Sequence, residues 1–119
     1  MANGSKSFKS RSIGTNLTAG VLNTVYTCPA NHTAKVELII VANTTNGNKT
    51  ITIKWHNENT GTEYFIVGGY VIPSYSFLKL ADGYLVLNAG DYIQVLPEAG
   101  SVTDCTVSVE EYYDPMSRQ

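Results

Sequence analysis

The chain runs to 119 residues, which makes one domain the default, and a compact fold of that length buries roughly two thirds of the surface its unfolded form exposes. Hydrophobic residues make up 43% and charged residues only 15%, a balance that argues against disorder and leaves a surface suited to meeting other proteins. The net charge of −2 offers no basic face for nucleic acid, no apolar run approaches the ~20 residues of a membrane helix, and MANGSKSFKSRSIG lacks the apolar stretch of a secretory signal, so synthesis in a cytoplasm is expected.

Residues 1–15, rich in Ser, Lys and Gly, read as a flexible arm without its own core. Lys6, Lys9 and Arg11 lie there with no acid among them and with Phe8 between the lysines, while Glu110, Glu111 and Asp114 crowd the other end of the chain. Lys6, Phe8, Lys9 and Arg11 are therefore predicted to order against a neighbouring subunit.

Beyond the arm no stretch shows helical periodicity. Instead, β-branched and aromatic residues come in short segments parted by Gly, Asn, Asp and Pro, the pattern of an all-β domain, and eight strands are predicted. The first, GVLNTVYT at 20–27, is ended by Cys28-Pro29. AKVELIIVAN at 34–43 is apolar on both faces, with Val36, Leu38 and Ile40 on one and Ile39 and Val41 on the other, as in a central strand. A hairpin through Asn46-Gly47, where positive φ angles are expected, joins it to KTITIKWH at 49–56, whose Ile51, Ile53 and Trp55 point inward. TEYFIVGGYVI at 62–72 carries Gly68-Gly69, a predicted bulge or bend. YSFLKL at 75–80, YLVLN at 84–88, DYIQVLP at 91–97 and TDCTVSVEEYY at 103–113 complete the set, with Ala81-Asp82-Gly83 as the turn between the first two. Connections too short for crossover helices imply an antiparallel, jelly-roll-like β-sandwich over residues 16–114, followed by a tail at 115–119.

Candidate chemistry is sparse. Asp91 after Ala89-Gly90 and Asp82 before Gly83 stand where a short carboxylate accepts bonds from turn amides. His32 in a loop and His56 at a strand end have no Cys or acid at ligand spacing, so both are read as exposed histidines, and no metal, cofactor or catalytic residue is predicted. Cys105 alternates with Val107 and Val109 and so points into the core, while a disulfide to Cys28 stays open as an alternative. Four Asn-x-Thr sequons, at Asn16, Asn31, Asn43 and Asn48, are read as ordinary turn and strand-end residues. Tyr64, Tyr70, Tyr75, Tyr84 and Tyr92 fall in or beside strands, where many are expected to cap the core; an exposed set would instead suit stacking on a glycan. Tyr112 and Tyr113, beside Glu110 and Glu111, are expected at a contact between subunits.

The order of segments is distinctive in aggregate: a polar arm, Y-T-C-P-A, a long apolar strand ending in V-A-N-T, then E-Y-F-I-V and L-V-L-N-A-G-D-Y-I-Q-V. Over nearly the whole chain this resembles small virion structural proteins of tailed bacteriophages, including those of cyanobacterial hosts. The resemblance implies a non-enzymatic β-sandwich protomer, a head decoration or cement protein or a neck, tail or fibre component. Its implied state is a homotrimer, and its implied partners are copies of itself and the major capsid or other virion proteins. A glycan- or receptor-binding module of a tail or fibre is the alternative function.

Overall fold

The computed structural model describes residues 8–115, and the described chain is all-β. Nine strands follow one another: β1 (Phe8–Asn16), β2 (Asn23–Thr27), β3 (His32–Asn43), β4 (Lys49–Asn57), β5 (Thr62–Ile72), β6 (Phe77–Leu80), β7 (Leu85–Asn88), β8 (Tyr92–Pro97) and β9 (Thr103–Tyr113). They form two antiparallel sheets packed face to face, one in the order β1-β9-β3-β6 with β7 also on β3, the other in the order β2-β8-β4-β5. Counting the collinear β6 and β7 as one broken strand gives eight strands in jelly-roll order, so the expected sandwich is the observed one.

The strand that pattern reading misses is β1. Residues 8–15 are expected in a coreless arm, yet Phe8 to Asn16 pair without a break against Tyr112 to Asp104 of β9, so residues 8–15 form part of the sandwich. Only Ile13 of this strand packs on the core, which is why FKSRSIGTN carries no strong alternation. Residues 1–7, including Lys6, and 116–119 of the tail lie outside the described residues.

Val25, Tyr26, Val36, Ile39, Val41, Ile51, Ile53, Leu87, Ile93, Val95, Val107 and Val109 make up most of the shared core. The inward residues of β8, Ile93 and Val95, oppose Trp55 and Ile53 of β4, so one alternation serves both strands. In β3 the expected phase fails halfway. A register shift between Val36 and Leu38 leaves Glu37 as the extra residue, so Val36 shares the buried side with Ile39 and Val41 while Leu38 and Ile40 turn to the other face. A second irregularity sets Gly68-Gly69 of β5 against the single Thr52, as the double glycine suggests, and Gly69 adopts φ 66 there.

Two turn readings change. Asn46 does not have a positive φ. The turn is tied instead by buried Asn43, whose amide donates to the carbonyls of Gly47 (2.9 Å), Ile72 (3.0 Å) and Pro73 (3.2 Å) while its oxygen accepts from the Thr45 N–H at 2.9 Å. An amide so committed is no glycan acceptor. The first predicted strand starts late because the Asn23 side chain folds back on Thr18 and Val21, holding Gly20 to Leu22 in a turn.

Candidate assembly surfaces

Two opposite flanks of the sandwich carry the exposed aromatic residues, and they differ in kind. On the first, β1 lies along β9, which sets Lys9 beside Glu111 and Ser10 beside Glu110. The basic start and acidic end of the chain are thus neighbours. Glu111 is 4% exposed and sits between the sheets. It accepts a hydrogen bond from the Tyr26 hydroxyl of β2 at 2.5 Å and pairs with the Arg11 guanidinium at 3.2 Å. A buried carboxylate needs such partners, and here they come from both layers, so the group clasps one sheet to the other. Burial first, and the bond to Glu111 second, push the Tyr26 phenol far above its ordinary range.

Around the clasp, Phe8 stacks on Tyr112 (centroids 5.3 Å apart), Tyr113 meets His32 edge-on, and the Tyr112 hydroxyl donates to Glu110 at 2.7 Å. That bond is the main cause of the raised Tyr112 phenol. Of the residues singled out in the sequence, Phe8, Lys9, Arg11, Tyr112 and Tyr113 therefore converge on one flank. Arg11 is engaged inside its own chain. The partners that pattern reading missed are Glu111 and Tyr26, and the signal for Glu111 was present: it continues the inward parity of Cys105, Val107 and Val109.

The second flank is formed by β5 and by β6 and β7. Tyr64, Tyr70, Tyr75 and Tyr84, expected largely as core caps, are 45%, 49%, 70% and 65% exposed, with Phe65 at 71% and Phe77 at 58%. Tyr75 holds φ 57, a left-handed conformation that is strained for a bulky residue. Between β6 and β7 the chain loops away from β3, and beneath it opens an apolar slot of about 320 Å³ lined by Val36, Ile39, Ile66, Leu80, Tyr84 and Leu85. Lys35 lies over the Tyr84 ring at 4.8 Å and Lys54 over Phe65 at 5.7 Å.

Titratable groups elsewhere have structural partners. Asp91 is buried, accepting the Glu58 N–H on one carboxylate oxygen and the Asn88 N–H on the other, both at 2.9 Å, so it ties two turns as its position suggested. His56 departs from the exposed reading. Its side chain is mostly covered, stacked on Tyr92 at 4.5 Å with Glu58 and Glu63 at 3.2 and 3.4 Å from its two nitrogens. Among the described residues no group of His, Cys, Asp and Glu is arranged to hold a metal ion. Cys28 and Cys105 are both buried and not joined by a disulfide, which resolves the open alternative, and burial pushes the Cys105 thiol up to about 12.

No protein-family model matches the chain, and no curated protein matches it. Solved structures share its fold. A protein of Bacillus endospore appendages, described as a novel family of disulfide-linked pili, superposes with a TM-score of 0.57 at 19% identity over 96% of this chain and 95% of that one. The virus-like particle of the giant freshwater prawn Macrobrachium rosenbergii extra small virus gives 0.55 at 12% identity, covering 94% of this chain and 82% of that one. The IBDV viral particle gives 0.57 at 7% identity, covering 93% of this chain and 33% of that much longer one. At these identities the likeness is one of fold.

Proposed function

We propose that this chain is a non-enzymatic structural protein of a virion, a sandwich subunit that packs against copies of itself and against shell proteins in the manner of a capsid decoration or cement protein. The observation that carries the reading is the second flank, where six aromatic side chains stand 45–71% exposed on a 119-residue unit. A monomer gains nothing from showing them to water, whereas a subunit buries them on assembly. The particle and appendage proteins that share the fold support this direction. Phe8, Lys9, Tyr112 and Tyr113, together with Lys6, are assigned to contact with a neighbouring shell or sister subunit, and a homotrimer built through that first flank is the expected state on the particle.

Such a protein acts mechanically: it binds the assembled shell and not its free subunits, which raises the shell's resistance to rupture by mass action. Light scattering across a wide concentration range tests self-association, and co-sedimentation with purified shells tests the second contact. A strict monomer with no affinity for shells overturns the proposal. The four exposed tyrosines also favour a second reading, a glycan-binding module of a tail or fibre; specific hits on a glycan array from a monomeric protein would select it.

A further inference from the structure

Four sheet edges occur among the described residues: β1, β2, β5 and the broken pair β6 and β7. Natural edges are guarded by charge, proline, shortness or bulges, because a free row of backbone donors and acceptors is a template for another strand. β1 carries Lys9 and Arg11, β2 has five residues with a register shift at Val25, and β6 and β7 have four residues each. β5 is guarded only by Glu63 near its start and by its register shifts at Ile66 and Gly68-Gly69. It runs eleven residues, pairs with β4 alone, and from Tyr64 to Ile72 contains neither a charge nor a proline.

Resting on the structural-subunit reading above, we propose that β5 is the self-association edge, and that its occupant is β5 of a second copy, paired antiparallel across a two-fold axis. Three observations choose that partner. Length matching comes first: only β1 among the other edges is comparably long, and pairing it with β5 would press Lys9 and Arg11 toward an apolar strand. Second, an edge paired with itself is complementary by symmetry, needing no second evolved surface. Third, the six exposed aromatics of this flank carry roughly 700 Å² of surface at ~200 Å² per whole side chain, the order of the ~800 Å² per partner that a stable interface needs. Between Tyr64 and Val86 the only charges are Lys79 and Asp82, and Lys54, which lies over Phe65, is already paired with Glu63 at 3.2 Å.

The register shift at Ile66 and the bend at Gly68-Gly69, where Gly69 has φ 66, limit the straight ladder to Thr62–Phe65, which places the two-fold axis within that segment. Sheet edges of the two copies then join into one continuous sheet of eight strands, four from each. The slot beside Ile66 lies next to this edge and receives apolar side chains of the partner.

Single cysteines placed at Thr62, Glu63, Tyr64 and Phe65 in the full chain test the geometry, with buried Cys28 and Cys105 left in place as internal controls. Under mild oxidation an intermolecular disulfide is expected at one or two adjacent positions, those nearest the axis. Phe65→Lys, at a residue outside the core, is expected to weaken self-association by at least ~tenfold with an unchanged cooperative melt, as a charge inserted in a buried interface does. Self-association that survives Phe65→Lys undiminished, with no cross-link at any of the four positions, overturns the β5 assignment and leaves the structural reading intact. A wild-type chain that stays monomeric at every concentration and on shells overturns both.

Discussion

Tyr26→Phe removes one oxygen atom from the middle of the inter-sheet clasp and leaves the ring in place. The deleted hydroxyl is the donor to Glu111 at 2.5 Å, and both residues are 4% exposed, so water does not replace it freely. Hydrogen bonds to charged groups are worth about 1.5–3 kcal/mol, and the Arg11 contact at 3.2 Å stays to hold the carboxylate, which argues for about 2 kcal/mol of destabilisation. For a domain of this size that loss lowers Tm by roughly 6–10 °C, measured by calorimetry, with the urea m-value unchanged. The pH dependence has a definite sign. The folded phenol is raised above its ordinary 10.0, so the protonated form is favoured in the native state; this contribution is whole below pH 10 and is lost as pH rises from there toward the folded value. Tyr26→Phe therefore flattens the alkaline side of the stability curve above pH 10. A loss below ~0.5 kcal/mol at neutral pH, or an alkaline limb identical to wild type, would refute the clasp.

Cys105 gives a second alkaline signal: its thiol moves from 9.0 to about 12 on burial, so stability should fall across pH 9 to 12, and Cys105→Ala should remove that part in a pH series of urea melts. Gly90→Ala should cost about 1–3 kcal/mol, since Gly90 has φ 88 and a Cβ there would stand 3.0 Å from Glu58 Cγ, whereas Gly14→Ala, with open space around it, should stay within ~0.5 kcal/mol by the same chemical denaturation. Asp91→Asn replaces one of two acceptors by a donor facing a backbone N–H, so about 2–3 kcal/mol should be lost, seen as a lower urea midpoint. Ile53→Ala at a fully buried position of β4 should cost about 2–5 kcal/mol, the range for core truncation, against under ~1.5 kcal/mol for Ile53→Val.

How far the sequence was legible follows from where the information resides. Strands that bury a regular alternation, β4, β8 and β9, could be placed to within a residue or so, because period two is written in their own side chains. β1 could not, since its pairing is dictated by β9, 88 or more residues away, and only Ile13 touches the core. The Glu37 bulge was equally hidden: an inserted residue shifts the phase of β3 without leaving a glycine to mark it. Tyrosine positions misled for a related reason. A strand pattern says that alternate residues share a face, but whether that face is covered depends on the strand's place in the sheet, and β5 turned out to be an edge.

That placement also explains why the two flanks differ. Where β1 and β2 meet, each sheet's edge is occupied by side-chain chemistry across the gap, with Tyr26, Glu111 and Arg11 linking the layers. A neighbour approaching there would meet an edge bearing Lys9 and Arg11, and would have to desolvate both. At the other end the layers are tied at the end of β5 by Asn43 of β3 and part around an apolar slot, and the strand beside it is long and uncharged beyond Glu63. A free edge of that kind would ordinarily invite runaway pairing. Here the irregularities at Ile66 and Gly68-Gly69 interrupt it, so only a short ladder can form, and a two-fold pairing uses that ladder up on both copies at once. One flank thus closes the subunit upon itself while the other permits a single, self-limiting addition, and any larger assembly must draw its remaining contacts from elsewhere, with the Phe8 and Tyr112 stack on the outer face of β1 and β9 as the next surface available.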